Sequence, residues 1–281
     1  MVVDSSDGAS PHGLSGVNAT LLTPLFGRAH ASRLVPGTTF DDPLARRLIE
    51  RTGFRPSEVL TDRGNAAGAV HRAIAIDAIT TGFAVRHPDG VVLSVGIGLD
   101  TRADRLADRT PDGIRWLGVD LPEVVRLRGE LLPEDRVRVF EAGVTEPGWS
   151  DGPAEAARGR TVLVIAEGLL MYLDPPGLRH FLGSGRTAFG PDTELVADYF
   201  HPRIALGGRH PITRATGARF LSGARDGRAL AAIAPGWELR AEHPVMERLG
   251  PAHRAAAALF RALTLGARAY SVAHLSGVPL P

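Results

Sequence analysis

The 281-residue chain has no cysteine and no lysine; all 32 basic residues are arginine. Without cysteine there is no disulfide, no thiol nucleophile and no Cys-ligated metal. Without lysine, Schiff-base chemistry and a phosphate-cradling P-loop are excluded. No apolar run reaches the ~18 residues of a spanning helix, so no membrane partner is expected. The net charge is +1, and no basic block stands out, which argues against nucleic acid. The histidines lack the paired helical spacing of a zinc protease, so no metal site is expected. The N-terminus lacks the apolar stretch of a signal peptide, which predicts a cytoplasmic protein. What is present, 44% hydrophobic and 22% charged residues, is an ordinary globular composition with ample material for a core.

The most informative stretch is Val91 to Arg102, Val-Val-Leu-Ser-Val-Gly-Ile-Gly-Leu-Asp-Thr-Arg. Its apolar, β-branched start reads as a strand buried on both faces. Gly96 and Gly98 let the backbone turn sharply and remove side chains that would hold a ligand away. Asp100-Thr101-Arg102 opens an expected helix over 103–108, whose first N–H groups can face a ligand. Strand, glycine turn and helix form the nucleotide crevice of an open α/β fold. Thr101 stands where a dinucleotide fingerprint wants a third glycine, which favours a nucleoside without phosphates. Trp116 to Leu121 reads as a second buried strand ending in Asp120. It falls about twenty residues past the glycines, the spacing at which an acid reaches ribose hydroxyls. Alternatively, Asp120 caps the helix opening at Pro122.

Around this centre the chain divides into a flexible N-terminus over 1–17 and a single domain over 18–281. Within the domain, 18–64 reads as a helical lid, with Asp42 capping a helix that opens at Pro43. The plainer alternative is that these helices only cover one sheet face. A donor-binding core follows over 65–200, beginning with a long helix to Arg86. Strands are expected over 136–140, 161–166 and 194–199, and residues 150–160 read as a surface connection. An acceptor-side insertion follows over 201–236, and closing strands separated by an Ala-rich helix occupy 237–281. Strands alternating with helices imply a doubly wound parallel sheet, with an antiparallel addition at its edge.

Several of these stretches together resemble the leucine carboxyl methyltransferase family, in its bacterial branch of polyketide O-methyltransferases. The resemblance rests on the glycine stretch with Asp-Thr-Arg, on Thr20 to Ala29, on Phe40-Asp-Asp-Pro-Leu-Ala45, and on the Arg72-x-x-x-x-Asp77 helix. It rests also on Val119-Asp-Leu-Pro-Glu-Val124 and Glu167-Gly-Leu-Leu-Met-Tyr-Leu173. It spans roughly residues 18 to 200. It implies a Rossmann-like class I methyltransferase fold: α/β, a doubly wound, mostly parallel seven-stranded sheet with an N-terminal helical lid and an antiparallel edge strand. It implies S-adenosylmethionine as cofactor and S-adenosylhomocysteine as product.

Carried over by position, the cofactor-binding residues are Arg72, Gly96, Gly98, Asp100, Asp120, Leu121, Gly143, Val144 and Glu167. Arg72 would meet the methionine carboxylate as a bidentate partner; its alternative is a salt bridge to Asp77 or Glu58. Asp120 would hold the ribose, and Glu167 would lie under the donor, attracting its amino group or sulfonium. The loop after the third strand departs from the family, since Gly143 or Val144 stands where relatives carry an acidic or Ser side chain toward adenine. Glu146 is a shifted second candidate.

A sulfonium methyl is already electrophilic, so the protein must chiefly align the acceptor and exclude water. A carboxylate acceptor needs no base, whereas a hydroxyl does. Asp198-Tyr199-Phe200-His201 ends the fifth strand where the acceptor should sit. His201 is the candidate base, Asp198 an acceptor contact and Tyr172 a pocket wall. The competing reading of His201, a cap before Pro202, is the stronger one from sequence, because no imidazole partner is identifiable. Tyr172 reads equally well as a core residue. Arg203, Arg209 and Arg214 read as a solvated loop or as attractors of an acidic substrate. The expected activity is S-adenosylmethionine-dependent O-methylation of a small natural product at a carboxyl or hydroxyl. The alternatives are a nicotinamide-dependent oxidoreductase and a non-catalytic relative of the same fold.

Overall fold

The computed structural model describes residues 21–52, 63–207, 213 and 217–280. The expected flexible segment 1–17, Glu58, Arg209 and Arg214 lie outside the described residues.

Three helices come first: α1 (Leu22–Ala29), α2 (Ala31–Leu34) and α3 (Pro43–Thr52). Asp42 caps α3 as expected, its Oδ1 accepting the Ala45 N–H at 2.9 Å. The long α4 (Arg63–Arg86) leads into β1 (Val91–Val95). Then come α5 (Arg102–Arg105), β2 (Arg115–Asp120), α6 (Pro122–Leu131), β3 (Arg138–Glu141) and α7 (Asp151–Ala157). The chain continues through β4 (Val162–Ala166), α8 (Pro175–Phe189), β5 (Glu194–Phe200), β6 (Trp237–Pro244), a helix Pro251–Leu263, and β7 (Tyr270–Gly277).

The strands form a seven-stranded sheet in the order β3-β2-β1-β4-β5-β7-β6. Strands β1 to β5 are parallel, and β7 runs against both β5 and β6, which is the expected antiparallel addition. Every residue of β1 and β4 is buried, which explains their unbroken apolar runs. Alternation divides their side chains between two faces. Val92, Leu163, Ile165 and Val196 meet Ile76, Ile79 and Phe83 of α4. On the opposite face Leu93, Val95, Val164 and Ala197 share a cluster with Trp149, Phe181 and Leu182. Strand order reverses between β1 and β4, so their carboxyl ends open a crevice there. Leu22, Leu25 and Leu48 of the N-terminal helices join Leu99 and the α6 residues Leu127 and Leu131 in a further cluster.

Two readings are corrected. Residues 150–160 are not an irregular connection, since α7 occupies their first part. Ala154-Glu-Ala-Ala157 has strong helix propensity, and a Pro near the start of a helix loses no hydrogen bond. The helix expected over 103–108 is only one turn, Arg102–Arg105, followed by a 3-10 turn Ala107–Arg109.

Candidate active site

At the end of β1 the chain bends with φ of +64° at Gly96 and +50° at Gly98. These are left-handed values that disfavour any side chain. The bend is tied to β2 by the Gly96 N–H, which donates to the Val119 carbonyl at 2.8 Å. Asp120 completes the tie, its two oxygens accepting the Gly98 and Leu121 N–H groups at 2.7 and 2.8 Å. It therefore braces the bend and Leu121 rather than capping the interior of α6. A carboxylate accepts about four hydrogen bonds, so both oxygens keep capacity for a ligand. Burial pushes the Asp120 carboxyl up, and its bonds to the Gly98 and Leu121 N–H groups oppose the rise.

Beside the bend runs a continuous ionic network. Arg72 donates Nε to Glu167 Oε1 at 2.9 Å and Nη1 to Asp198 Oδ2 at 2.9 Å. Glu167 Oε2 accepts Arg102 Nη2 at 2.5 Å. Arg102 also engages Asp77 at 2.8 Å and Asp100. Arg105 makes a bidentate pair with Asp77 at 2.8 and 3.0 Å and reaches Asp42 at 2.9 Å. Asp42 in turn holds Arg28, whose Nη2 donates to the Leu99 carbonyl. The alternative partner Asp77 is thus taken by Arg102 and Arg105, and Arg72 turns instead to the ends of β4 and β5. Burial alone would raise the Glu167 carboxyl, but Arg72 and Arg102 outweigh it and hold it below its ordinary range. The same competition, with Arg102 and Arg105 foremost among the cations, sets Asp100 well below.

The arginines of this network, 28, 72, 102 and 105, are outnumbered by the carboxylates of residues 42, 77, 100, 167 and 198. Nearby Arg128 is neutralised by Asp135 at 2.6 Å. A surplus negative charge at low exposure suits a cationic ligand. A phosphate-free, positively charged nucleoside fits this centre better than a pyrophosphate.

Two clefts meet here. A polar one of about 80 Å³ lies along Gly96, Gly98, Asp100, Arg102 and Glu167. Leu21 leans into it, and a Cβ on Gly98 would come within 2.6 Å of Leu21 Cδ2. A larger one of about 300 Å³ is lined by Met171, Tyr172, Phe200, Phe220, His253 and Tyr270, among others. Pro24, Arg72 and Gly168 belong to both walls.

Of the expected contacts, Arg72, Gly96, Gly98, Asp100 and Glu167 line the polar cleft. Val144 does not present its side chain there, because it packs into the core cluster of one sheet face. Glu146 folds back on the loop, so that a Cβ on Gly143 would lie 2.8 Å from Glu146 Oε1. Asp198 is fully buried, and its oxygens are spent on Arg72, Tyr270 Oη and the Gly168 N–H. It positions those groups and does not face an acceptor. His201 caps the short helix Pro202–Ala205, its Nδ1 accepting the Arg203 N–H at 3.2 Å. Its ring packs edge-on against Phe260, and it is not among the residues lining the large cleft. Burial, then Arg203 and Arg225, lower its pKa. His201 therefore serves as a helix cap through Nδ1.

From the sequence Tyr270 belongs to a closing strand, with no role at the site. Its hydroxyl donates to Asp198 at 2.8 Å and accepts from Arg72 at 3.0 Å. Burial and Asp198 push that phenol well above its ordinary pKa, against Arg72. Its ring stacks on Phe200 at 4.2 Å, and Phe200 on Phe220 at 5.3 Å. No linear signal marks these residues, because antiparallel pairing of β5 and β7 brings Phe200 to Tyr270 and Phe220 joins them from a separate loop.

A model of the leucine carboxyl methyltransferase family matches residues 22–183. That span holds the glycine bend, Arg72, Asp120 and Glu167 but stops short of Phe200, Phe220 and Tyr270. The chain is 34% identical over 246 residues to the tetracenomycin polyketide synthesis O-methyltransferase TcmP of Streptomyces glaucescens, covering 83% of this chain and 85% of that one. It is 27% identical over 172 residues to the S-adenosyl-L-methionine-dependent methyltransferase dpfgK of Gibberella zeae, covering 57% of each. Among solved structures, a chain from Thermobifida fusca superposes with a TM-score of 0.62 at 16% identity, over 99% of this chain and 100% of that one. At that identity the likeness is one of fold.

Proposed function

Because the chain belongs to the leucine carboxyl methyltransferase family, we propose that it methylates an oxygen of a small, flat natural product such as an aromatic polyketide, with S-adenosylmethionine as donor. The observation that carries this reading is the junction at Pro24, Arg72 and Gly168, where a polar cleft opens into an aromatic one. A nucleoside seated on the glycine bend would have its reactive end at that junction, facing an apolar acceptor. When bound, the donor supplies an electrophilic sulfonium methyl, and its net positive charge matches the surplus carboxylate beneath it.

The chain's own residues then have distinct tasks. Asp120 accepts the ribose hydroxyls while it braces the bend. Glu167, held by Arg72 and Arg102, presents negative potential toward the ammonium and sulfonium groups. Arg72 Nη2 makes none of the hydrogen bonds that its Nε and Nη1 make to Glu167, Asp198 and Tyr270, and it faces the donor carboxylate. The Leu21 side chain turns aside to admit the nucleoside, whose volume exceeds the polar cleft. Tyr172, Phe200 and Phe220 exclude water and hold a flat acceptor.

The capping position of His201 supports a carboxyl acceptor, since a carboxylate arrives already deprotonated. A hydroxyl acceptor is the second reading, with His253 in the cleft wall as its base. Purified protein incubated with methyl-labelled donor and a panel of aromatic acids and phenols tests both. Label recovered as methyl ester supports the first reading, and label recovered as aryl ether the second. Label in neither, with the donor bound, sinks O-methylation.

A further inference from the structure

One residue of the larger cleft's wall, Thr23, carries a buried side-chain oxygen without a partner among the described residues. Thr23, on α1, is 2% exposed, and its Oγ1 has no hydrogen-bond partner among the described residues. Thr23 sits in the first turn of α1, where the carbonyl four residues earlier lies outside the described residues. Threonines deeper in helices have that partner: Thr80, Thr81 and Thr187 each donate to the carbonyl four residues earlier, at 2.8 to 3.0 Å. A buried hydroxyl without a bond is costly, and each such group in a native structure asks for an explanation. Three other buried polar atoms share this condition, those of Tyr199, Glu247 and Ser271, but none of those residues lines the large cleft, whereas Thr23 does.

Thr23 is also well placed. It immediately precedes Pro24, which with Arg72 and Gly168 forms the wall common to both clefts. The remaining wall is chiefly apolar and flat, with Tyr270, Phe200 and Phe220 stacked in a row and Tyr172 edge-on to Phe220 at 5.3 Å. Such a wall sorts ligands by planarity but does little to fix their rotation. One hydrogen-bond donor beside the junction supplies that missing constraint. Oγ1 is closed off in the present rotamer. Threonine in helices populates two χ1 rotamers, and one rotation exchanges its methyl and hydroxyl.

We propose that Thr23 is the hydrogen-bond donor that orients the carboxylate acceptor. One carboxylate oxygen would take the methyl at the junction of the clefts as the bond from methyl to sulfur breaks and leaves the neutral thioether of S-adenosylhomocysteine, and the other oxygen would accept the Thr23 hydroxyl. This rests on the function proposed above and adds a residue to it. It makes the lid helix part of substrate recognition.

The test compares wild type, Thr23→Val and Thr23→Ser with 2-naphthoic acid and anthraquinone-2-carboxylic acid as acceptors. Valine keeps the shape and removes the hydroxyl. Thr23→Val is expected to lower kcat/KM for the acid about 10-fold or more, mainly through KM, the usual scale for a lost hydrogen bond to a charged group. Its affinity for S-adenosylhomocysteine should stay within about twofold, and its melting temperature should hold or rise, because an unbonded hydroxyl has been removed. Thr23→Ser should recover most of the lost kcat/KM. Thr23→Val with an unchanged kcat/KM, or Thr23→Ser as impaired as Thr23→Val, overturns the assignment. Wild-type protein that methylates neither acids nor phenols overturns the proposed function itself, and methylation of phenols alone overturns the carboxylate acceptor and with it the Thr23 assignment, whereas wild-type turnover of the acids with an indifferent Thr23→Val overturns only Thr23.

Discussion

Asp198 on β5 accepts the hydroxyl of Tyr270 on β7 at 2.8 Å, across the antiparallel seam where Phe200 pairs with Tyr270 in register. That bond lies at the floor of the aromatic cleft and bears directly on Arg72, since both partners also bind its Nη1. The antiparallel end of the sheet therefore aims the guanidinium that belongs to both clefts.

Tyr270→Phe removes the bond and keeps the ring. Arg72 retains Glu167 and Asp198 but loses one of its restraints. Stability should fall by about 1.5–3 kcal/mol, the range for a hydrogen bond to charged groups, in urea unfolding. Turnover should fall more than donor affinity does. If kcat/KM for the acceptor matches wild type, Tyr270 is only structural.

Glu167→Gln keeps the shape and removes a charge that two buried arginines share. Breaking buried pairs typically costs 3–5 kcal/mol, and the amide restores part of the hydrogen bonding, so about 1–3 kcal/mol is expected in equilibrium unfolding. Calorimetry should show weaker binding of S-adenosylmethionine than of uncharged analogues lacking the sulfonium. Equal weakening for both would remove the electrostatic role given to Glu167.

Asp120→Ala should weaken S-adenosylhomocysteine binding by ~1–3 kcal/mol. It also leaves the Gly98 N–H without its carboxylate, so the bend loosens. Unchanged affinity by calorimetry would show that the ribose lies elsewhere.

His201→Ala should leave turnover of an aromatic acid within about threefold of wild type. The expected cost is stability, about 0.5–1 kcal/mol, the lower part of the range for a lost helix cap. A loss of rate by orders of magnitude with the donor still bound would restore His201 as a base.

Glu194 contributes to the acid sensitivity of the fold. Burial pushes its carboxyl up, but hydrogen bonds from His274 and Arg86 outweigh this and hold it down at about 2. A carboxyl with a depressed native pKa binds fewer protons folded than unfolded. Its stabilisation is complete above the unfolded value near 4.5 and is lost as pH falls toward the native one. Urea midpoints measured from pH 6 to 2 should drop through that window, and Glu194→Gln should flatten the drop.

The parts of the donor site that depend on local backbone were readable in linear order. Two glycines after a doubly buried strand can only be a tight bend, and an acid closing the next parallel strand must arrive beside it, because parallel register brings consecutive strand ends to one edge. Arg72 and Glu167 were found as positions but not as a pair. Arg72 came from the family resemblance and Glu167 from its place after a buried strand, and the pairing of Arg72 with Glu167 and Asp198 instead of Asp77 turns on where Arg102 and Arg105 point. His201 directly follows β5, and its Nδ1 accepts the Arg203 N–H, the geometry expected of its capping reading.

The acceptor cleft is of another kind. Thr23, Tyr172, Phe220 and Tyr270 come from α1, a turn after β4, a loop and the last strand, and nothing periodic links them. Local conformation and strand order follow from interactions between near neighbours in the chain, so they leave a trace in residue spacing. Whether Tyr270 faces Asp198, or Thr23 keeps its hydroxyl unbonded, depends on packing between elements up to 198 residues apart, and only the assembled core decides it.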